Sequence, residues 1–237
     1  FDYHRLIETL RIIPGAPEGG DGSADVDPQL GCERGGLESA EALMLARYFM
    51  FAQVYYHPTR MAYNEHLKDF LSAWLPDGVF PIDAEDHLSR TDSEVLTAIR
   101  DAAGEAGAPG HEAARRIVNR EHFRIAYNRQ PDDVGARSLA TGAIAAAAEH
   151  FGADKVRYGA SPRRGDPPDF PVRERDGSSV SSLSLSEVLT RLPASHDEYV
   201  FVEPSMREQA KRWITDQRGS IIDQALAEQA HEEETTT

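Results

Sequence analysis

Arg47 and Tyr55 are the residues whose types and positions point most directly to chemistry. Both lie in GGLESAEALMLARYFMFAQVYYHPTRMAYNEHLKDFL, from Gly35 to Leu71, the stretch with the longest helical pattern and most of the large apolar side chains. Between Leu43 and Tyr56 only Arg47 and Gln53 are clearly polar. A helix that is apolar nearly all round is expected to be enclosed, and this run is shorter than the about 20 apolar residues of a membrane span. A guanidinium in such surroundings needs an anionic partner, because an unpaired buried charge is very costly. That partner is either a protein carboxylate or a ligand phosphate, whose oxygens suit the planar fork of arginine. Tyr55 follows about two helical turns on and about 80° round, so that one bound molecule can touch both. Otherwise Tyr55 reads as a core tyrosine with a satisfied hydroxyl.

Other reactive side chains are less distinctive. Asp83, Glu85, Asp86 and His87 cluster in a connector where they can bind metal or move protons, but acidic clusters in so acidic a chain more often face solvent. His66 is expected on a solvated face, and His150 at the C-terminal end of a helix. Arg163 and Arg164 form a loop pair able to meet a phosphate, although exposed loop arginines are the rule. Cys32 is the single cysteine, which excludes an internal disulfide and a cysteine-based zinc site. There is no phosphate-binding glycine loop, no nucleophile elbow, and no helical pair of histidines four apart with a glutamate between. Asp follows His only at His196-Asp197.

Composition bounds the possibilities further. A chain of 237 residues can bury a sizeable core, as one large domain or two small ones. Its net charge is −15, and its 25 basic residues include only three lysines, Lys68, Lys155 and Lys211. Acidic excess with scarce lysine suits a protein working at high salt, where screening suppresses self-repulsion. It argues against general nucleic-acid binding, which needs a basic footprint. No secretory signal and no bilayer-spanning run is visible, so a cytoplasmic location without membrane association is the simplest expectation. The chain starts without Met, directly in a helical pattern, and reads as a fragment or a trimmed form.

The elements that must position these residues follow from periodicity. A helix is expected over 2–13, with short strands at Leu10–Ile13 and Leu30–Glu33 around a Gly/Asp/Pro-rich loop. Pro58 falls inside the central helical pattern and predicts a kink near Tyr56-His57. Thr91 and Glu94 form a capping-box signature for the next helix. A further helix spans 111–120, a strand 121–127 with Phe123, Ile125 and Tyr127 on one side, and an alanine-rich helix 131–151. After Gly152 come strand candidates at Val156–Tyr158, Phe170–Arg173, Val180–Leu183 and Tyr199–Val202, and a helix at Ser186–Arg191. The chain closes with terminal helices over 207–229 interrupted near Gly219 and a frayed HEEETTT tail. This is a mainly α fold, with a helical part over 1–152 and a smaller α/β region over 153–237.

FDYHRLIETLRII, followed by ERGGLESAEALMLARYFMFAQVYYHPTRMAYNEHLKDFL, resembles the HD-domain phosphohydrolases of the deoxynucleoside triphosphate triphosphohydrolase type. The match runs from Phe1 to about Leu75, is most specific in LARYFMFAQVYYHPTR, and continues loosely through the segment Arg115 to Tyr127. The resemblance implies an oligomeric enzyme with a helical core holding a divalent metal on a histidine, a His-Asp doublet and a later aspartate. It places all of these upstream of Phe1, so the chain would be the helical remainder of an HD-type core. His196-Asp197, in a loop before a strand, is not carried over. Arg47 matches an arginine on substrate phosphates, and Tyr55 a tyrosine packing on the sugar. Tyr56 lies near sugar or base, where tyrosine departs from some members, and His57 is the histidine beside this pair. The chemistry implied for the intact protein is metal-assisted hydrolysis of a dNTP to deoxynucleoside and triphosphate.

Three readings stand at this point. The chain is the post-metal portion of such an enzyme, completed by an upstream HD part in the same polypeptide or in a companion chain. Alternatively it is a non-catalytic nucleotide-binding or protein-interaction module of the same fold. The third is a structural helical domain with Arg47 paired internally.

Overall fold

The structure, a computed structural model, describes residues 1–14, 27–130, 133, 139–162, 168–192 and 197–235. It is mainly α-helical, with two small sheets. Packing groups the chain into two compact units, Phe1–Tyr55 with Pro162–His196, and Tyr56–Ser161 with Asp197–Thr237. This division does not follow the change of composition near residue 152, because strands from both halves of the sequence share each sheet.

In the first unit, helix α1 (Tyr3–Thr9) is capped by the Asp2 carboxylate, which accepts from the Arg5 amide at 2.9 Å. The helix ends four residues short of the expected Ile13, and Leu10–Ile13 becomes strand β1. Strand β1 pairs antiparallel with β2 (Gln29–Glu33), matching Leu10 with Cys32. Strand β2 also pairs parallel with β5 (Pro171–Arg173), and β5 pairs antiparallel with β6 (Ser179–Ser181). Gly31 permits this closeness, since a Cβ there would stand 2.0 Å from the Pro171 carbonyl oxygen. Leu6, Cys32, Leu37, Ala40 and Val172 form the core, closed by Leu43, Phe170 and Leu185. Short helices α8 (Ser182–Leu185) and α9 (Glu187–Thr190) complete the unit.

The Gly35–Leu71 stretch is three pieces rather than one kinked rod. Helix α2 spans Leu37–Met50 and runs into a π-helical turn, Phe51–Tyr55. Helix α3 restarts at Pro58 and runs to Trp74. The proline explains the break. It lacks an N–H and forces the preceding residue out of the helical region, so His57 adopts φ −54° and ψ 132° and Pro58 takes the first helical position. The expected enclosure of the central helix is not found within the described residues. In α2 only Leu37 and Ala40 are buried, whereas Phe49 and Met50, and Val54 of the π-helical turn, are exposed.

In the second unit the sheet order is β3 (Arg124–Asn128), β7 (Glu198–Val202), β4 (Val156–Ala160), all antiparallel. Every residue of β7 is buried, as a central strand covered on both faces requires. The period-two alternation divides its side chains. Val200 and Val202 pack with Ile144 and Ala148 of α7 (Leu139–Ala148) and with Ala210 and Ile214 of α10 (Arg207–Thr235). Tyr199 and Phe201 pack with Met61 and Ala62 of α3 and with Phe123. A bulge between Ile125 and Tyr127 breaks the expected one-sided alternation of β3. Helix α4 (Ala84–Ser89) precedes α5 (Asp92–Gly104) and α6 (His111–Val118), whose Ile99, Ala102, Ala113 and Ala114 enclose Phe70 of α3.

Two expectations for the C-terminus are corrected. Helix α10 passes through Gly219 without interruption, and the tail expected to fray is helical to Thr235. The buried Ala210 and Ile214, the partly buried Ile221 and Ile222 and the Arg218 side chain anchor α10 around Gly219, which offsets the ~1 kcal/mol that a mid-helix glycine costs.

Candidate functional site

Arg47 stands near the C-terminal end of α2 and is exposed, not buried among apolar side chains as the sequence suggested. Among the described residues it forms no ion pair. Its guanidinium lies 5.2 Å from the Phe51 ring centroid, a cation–π arrangement. The Phe51 ring in turn lies 5.0 Å from that of Tyr55. Arg47, Phe51 and Tyr55 therefore form one row, four residues apart at each step.

The π-helical turn is what aligns that row. On an ideal α-helix Tyr55 would sit about 80° round from Arg47. The i→i+5 bonding of a π turn widens it, so that four residues advance less than one full turn and return Tyr55 towards the Arg47 face. Such turns recur at functional sites. The outer surface of the row joins a cation to two aromatic faces, which suits an anionic ligand carrying a sugar or ring.

Tyr56 and His57 belong to the second unit. Tyr56 is partly buried against Met61, Ala62 and Phe123, and its carbonyl oxygen accepts from the Tyr199 hydroxyl at 3.2 Å. His57 is exposed and caps α3, its Nδ1 accepting from the Thr59 amide at 3.3 Å. The four candidates are thus divided between the two units. Cavities of about 520, 570 and 740 Å³ open elsewhere, and none of these is lined by any of the four.

The remaining candidates resolve into structural roles or lie outside the described residues. Asp83 caps α4 by accepting from the Glu85 and Asp86 amides, and His87 Nδ1 is 3.2 Å from the Pro81 carbonyl oxygen. His150 Nδ1 meets the Ala147 carbonyl oxygen at 3.0 Å, beside Trp213. Cys32 is buried, and its thiol is pushed up by that burial and by the Glu38 charge. Arg163, Arg164 and His196 lie outside the described residues.

His66 is a correction that matters. It was expected in solvent, yet it is 1% exposed and accepts from the Phe123 amide through Nε2 at 3.0 Å. The signal was present: Ala62, His66 and Phe70 lie four apart on the buried stripe of α3. Burial foremost, then the Arg116, Arg157 and His122 charges, lower its pKa to about 4.

A divalent metal is implied by the resemblance, and HD-family phosphohydrolases are generally metal-dependent. The described residues do not fit one. No group of three or more His, Cys, Asp or Glu among them is placed to hold a metal ion. No helix among them is long and apolar enough to cross a membrane.

The geometry can be set beside known proteins. Residues 1–155 match the family described as HD associated region. No curated protein matches the chain. Among solved structures, a hypothetical protein from Aquifex aeolicus is similar with a TM-score of 0.66 and 23% identity, over 90% of this chain and 51% of its own. A phosphohydrolase from Bacteroides thetaiotaomicron is similar with a TM-score of 0.55 and 18% identity, over 85% of this chain and 55% of its own. At these identities the likeness is one of fold, and the chain spans about half the length of each. Since the family match covers well over half of its residues, this chain belongs to the family of HD-associated regions.

Proposed function

We propose that this chain is the substrate-gripping C-terminal portion of an HD-family phosphohydrolase acting on deoxynucleoside triphosphates. The observation that carries the reading is the row Arg47–Phe51–Tyr55, with a solvent-facing guanidinium that forms no ion pair among the described residues. Arg47 binds phosphate oxygens and stabilises their charge, most strongly where the site is desolvated. Tyr55 packs against the deoxyribose, with Tyr56 and His57 beside it in sequence. The resemblance places the metal ligands upstream of Phe1, so in this reading the chemical step belongs to an HD part supplied upstream in the same polypeptide or by a companion chain. The outward-facing Phe49, Met50 and Val54 support such a completing surface. Those side chains also favour the second reading, a non-catalytic module that binds nucleotide or a protein partner. Assembly as a homo-oligomer, as the resemblance implies, belongs to the same proposal.

Calorimetric titration with deoxynucleoside triphosphates tests the grip. Arg47→Gln is expected to weaken binding about tenfold or more, the value of one charge-assisted contact. Equal affinity in the variant, or no binding by the parent chain, would remove the ligand reading. Incubation of the chain with these nucleotides and Mn²⁺ is expected to release no triphosphate, and release would contradict the assignment of the metal to residues outside it.

A further inference from the structure

Arg47 differs from Arg11 and Arg34 of the same unit in what holds it. Arg11 pairs with Glu33 at 2.8 Å and Arg34 with Glu174 at 3.6 Å. Such pairs commit both the charge and the N–H donors of a guanidinium. Around Arg47 the positions three and four residues away are Leu43, Met44, Met50 and Phe51, so its own helix offers no carboxylate at ion-pair spacing. Its guanidinium stands instead over the Phe51 ring, 5.2 Å from the centroid. A ring attracts the cation through its electron-rich face and leaves the positive charge in place. It takes up none of the N–H donors in the way a carboxylate does, so they remain for an outside oxyanion.

The chain fixes Phe51 better than it fixes Arg47. The Phe51 amide donates to the Arg47 and Tyr48 carbonyls at the end of α2, and the residue opens the π-helical turn. Its side chain is partly buried, while Arg47 is exposed. Its ring also meets that of Tyr55 at 5.0 Å with 34° between the planes. Arginine has more side-chain torsions than phenylalanine and loses more rotamer freedom when it is immobilised. A support that orders the guanidinium before a ligand arrives lowers that cost at the moment of binding.

We propose that Phe51 is a positioning residue of the nucleotide grip. Its ring holds the Arg47 guanidinium oriented and electrically uncompensated for phosphate oxygens, beside the Tyr55 ring that packs on the sugar. This inference rests on the reading that Arg47 and Tyr55 bind a deoxynucleoside triphosphate. Phe51 acts through Arg47 and touches no reacting atom. What the position requires is an aromatic face, so leucine of similar bulk does not replace it and tyrosine does.

Two measurements test this, and the first needs no nucleotide. In NMR spectra of the free chain the Arg47 Cδ protons are expected upfield of ordinary arginine positions, displaced by the ring. Phe51→Leu is expected to abolish the displacement and Phe51→Tyr to keep it. The second is calorimetric titration with deoxyadenosine triphosphate, with the fold of each variant checked by circular dichroism. Phe51→Leu is expected to weaken binding about three- to fivefold, and Phe51→Tyr by less than about twofold. Introduced into Arg47→Gln, the leucine change is expected to cost less than about twofold, because the group it positions is gone. Arg47 signals that Phe51→Leu leaves in place would overturn the positioning role and leave the grip standing. Unchanged affinity in Phe51→Leu, or a loss as large in Arg47→Gln as in the parent chain, would do the same. No binding by the parent chain, or equal affinity in Arg47→Gln, would remove the grip itself and the positioning role with it.

Discussion

At the scale of residues, burial decides which side chains are available. Arg47 looked enclosed because its neighbours are apolar, yet it is exposed, and the alternative of an internal ion pair finds no partner among the described residues. His66 errs the other way. A neighbourhood of Asn64, Glu65 and Lys68 reads as solvated, but the i, i+4 stripe through Ala62 and Phe70 places it inside. Sequence periodicity held that information, whereas local polarity obscured it. Burial of His66 has a consequence for pH. Its folded pKa, about 4, lies below the ordinary 6.5, so folding favours the neutral ring. That contribution is present above pH ~6.5 and is lost as pH falls towards about 4, by up to ~3 kcal/mol. Urea unfolding across this range is expected to show the decline, and His66→Gln to flatten it. Parallel slopes in the two proteins would contradict the assignment.

At the scale of elements, local signals placed most helices and strands, and failed where tertiary contacts decide. The Thr91–Glu94 capping box forms as read, and Thr91→Ala is expected to cost about 1 kcal/mol in thermal unfolding. Pro58 marked the break correctly, but nothing in FAQVY announces a π-helical turn, whose presence changes which residues share a face. The glycine rule failed at Gly219. Space around that position is open, so Gly219→Ala is expected to raise stability by about 0.5–1 kcal/mol. Helix α10 is held by Arg218, which donates to the Asp133 carboxylate and to the Tyr127 hydroxyl. Burial alone would raise the Asp133 carboxyl, but hydrogen bonds from Tyr127, the Gln130 amide and Arg218 outweigh it and hold the pKa below the usual range. Stability from Asp133 is thus present above the ordinary carboxylate pKa and is lost as pH falls through its lowered value. Arg218→Met, which strands the buried carboxylate, is expected to destabilise by ~1–3 kcal/mol at neutral pH, with the difference shrinking in acid.

At the scale of the whole molecule, the mainly α class was legible from composition and periodicity. The interleaving was not, because the parallel pairing of Cys32 with Val172 joins segments with no local signal linking them. For the proposed grip, residue type and position singled out Arg47 and Tyr55, the resemblance gave them nucleotide roles, and neither pointed to the Phe51 ring that links them. Net charge of −15 predicts self-repulsion relieved by salt, so the midpoint of thermal unfolding is expected to rise with KCl. The central claim is that one face of the α2 helix and its π turn holds a nucleotide. NMR of the chain with a bound deoxynucleoside triphosphate addresses it most directly. The account predicts through-space contacts between the Tyr55 ring and deoxyribose protons, together with a shift of the Arg47 Nε–H signal. Nucleotide bound with neither residue responding would contradict it.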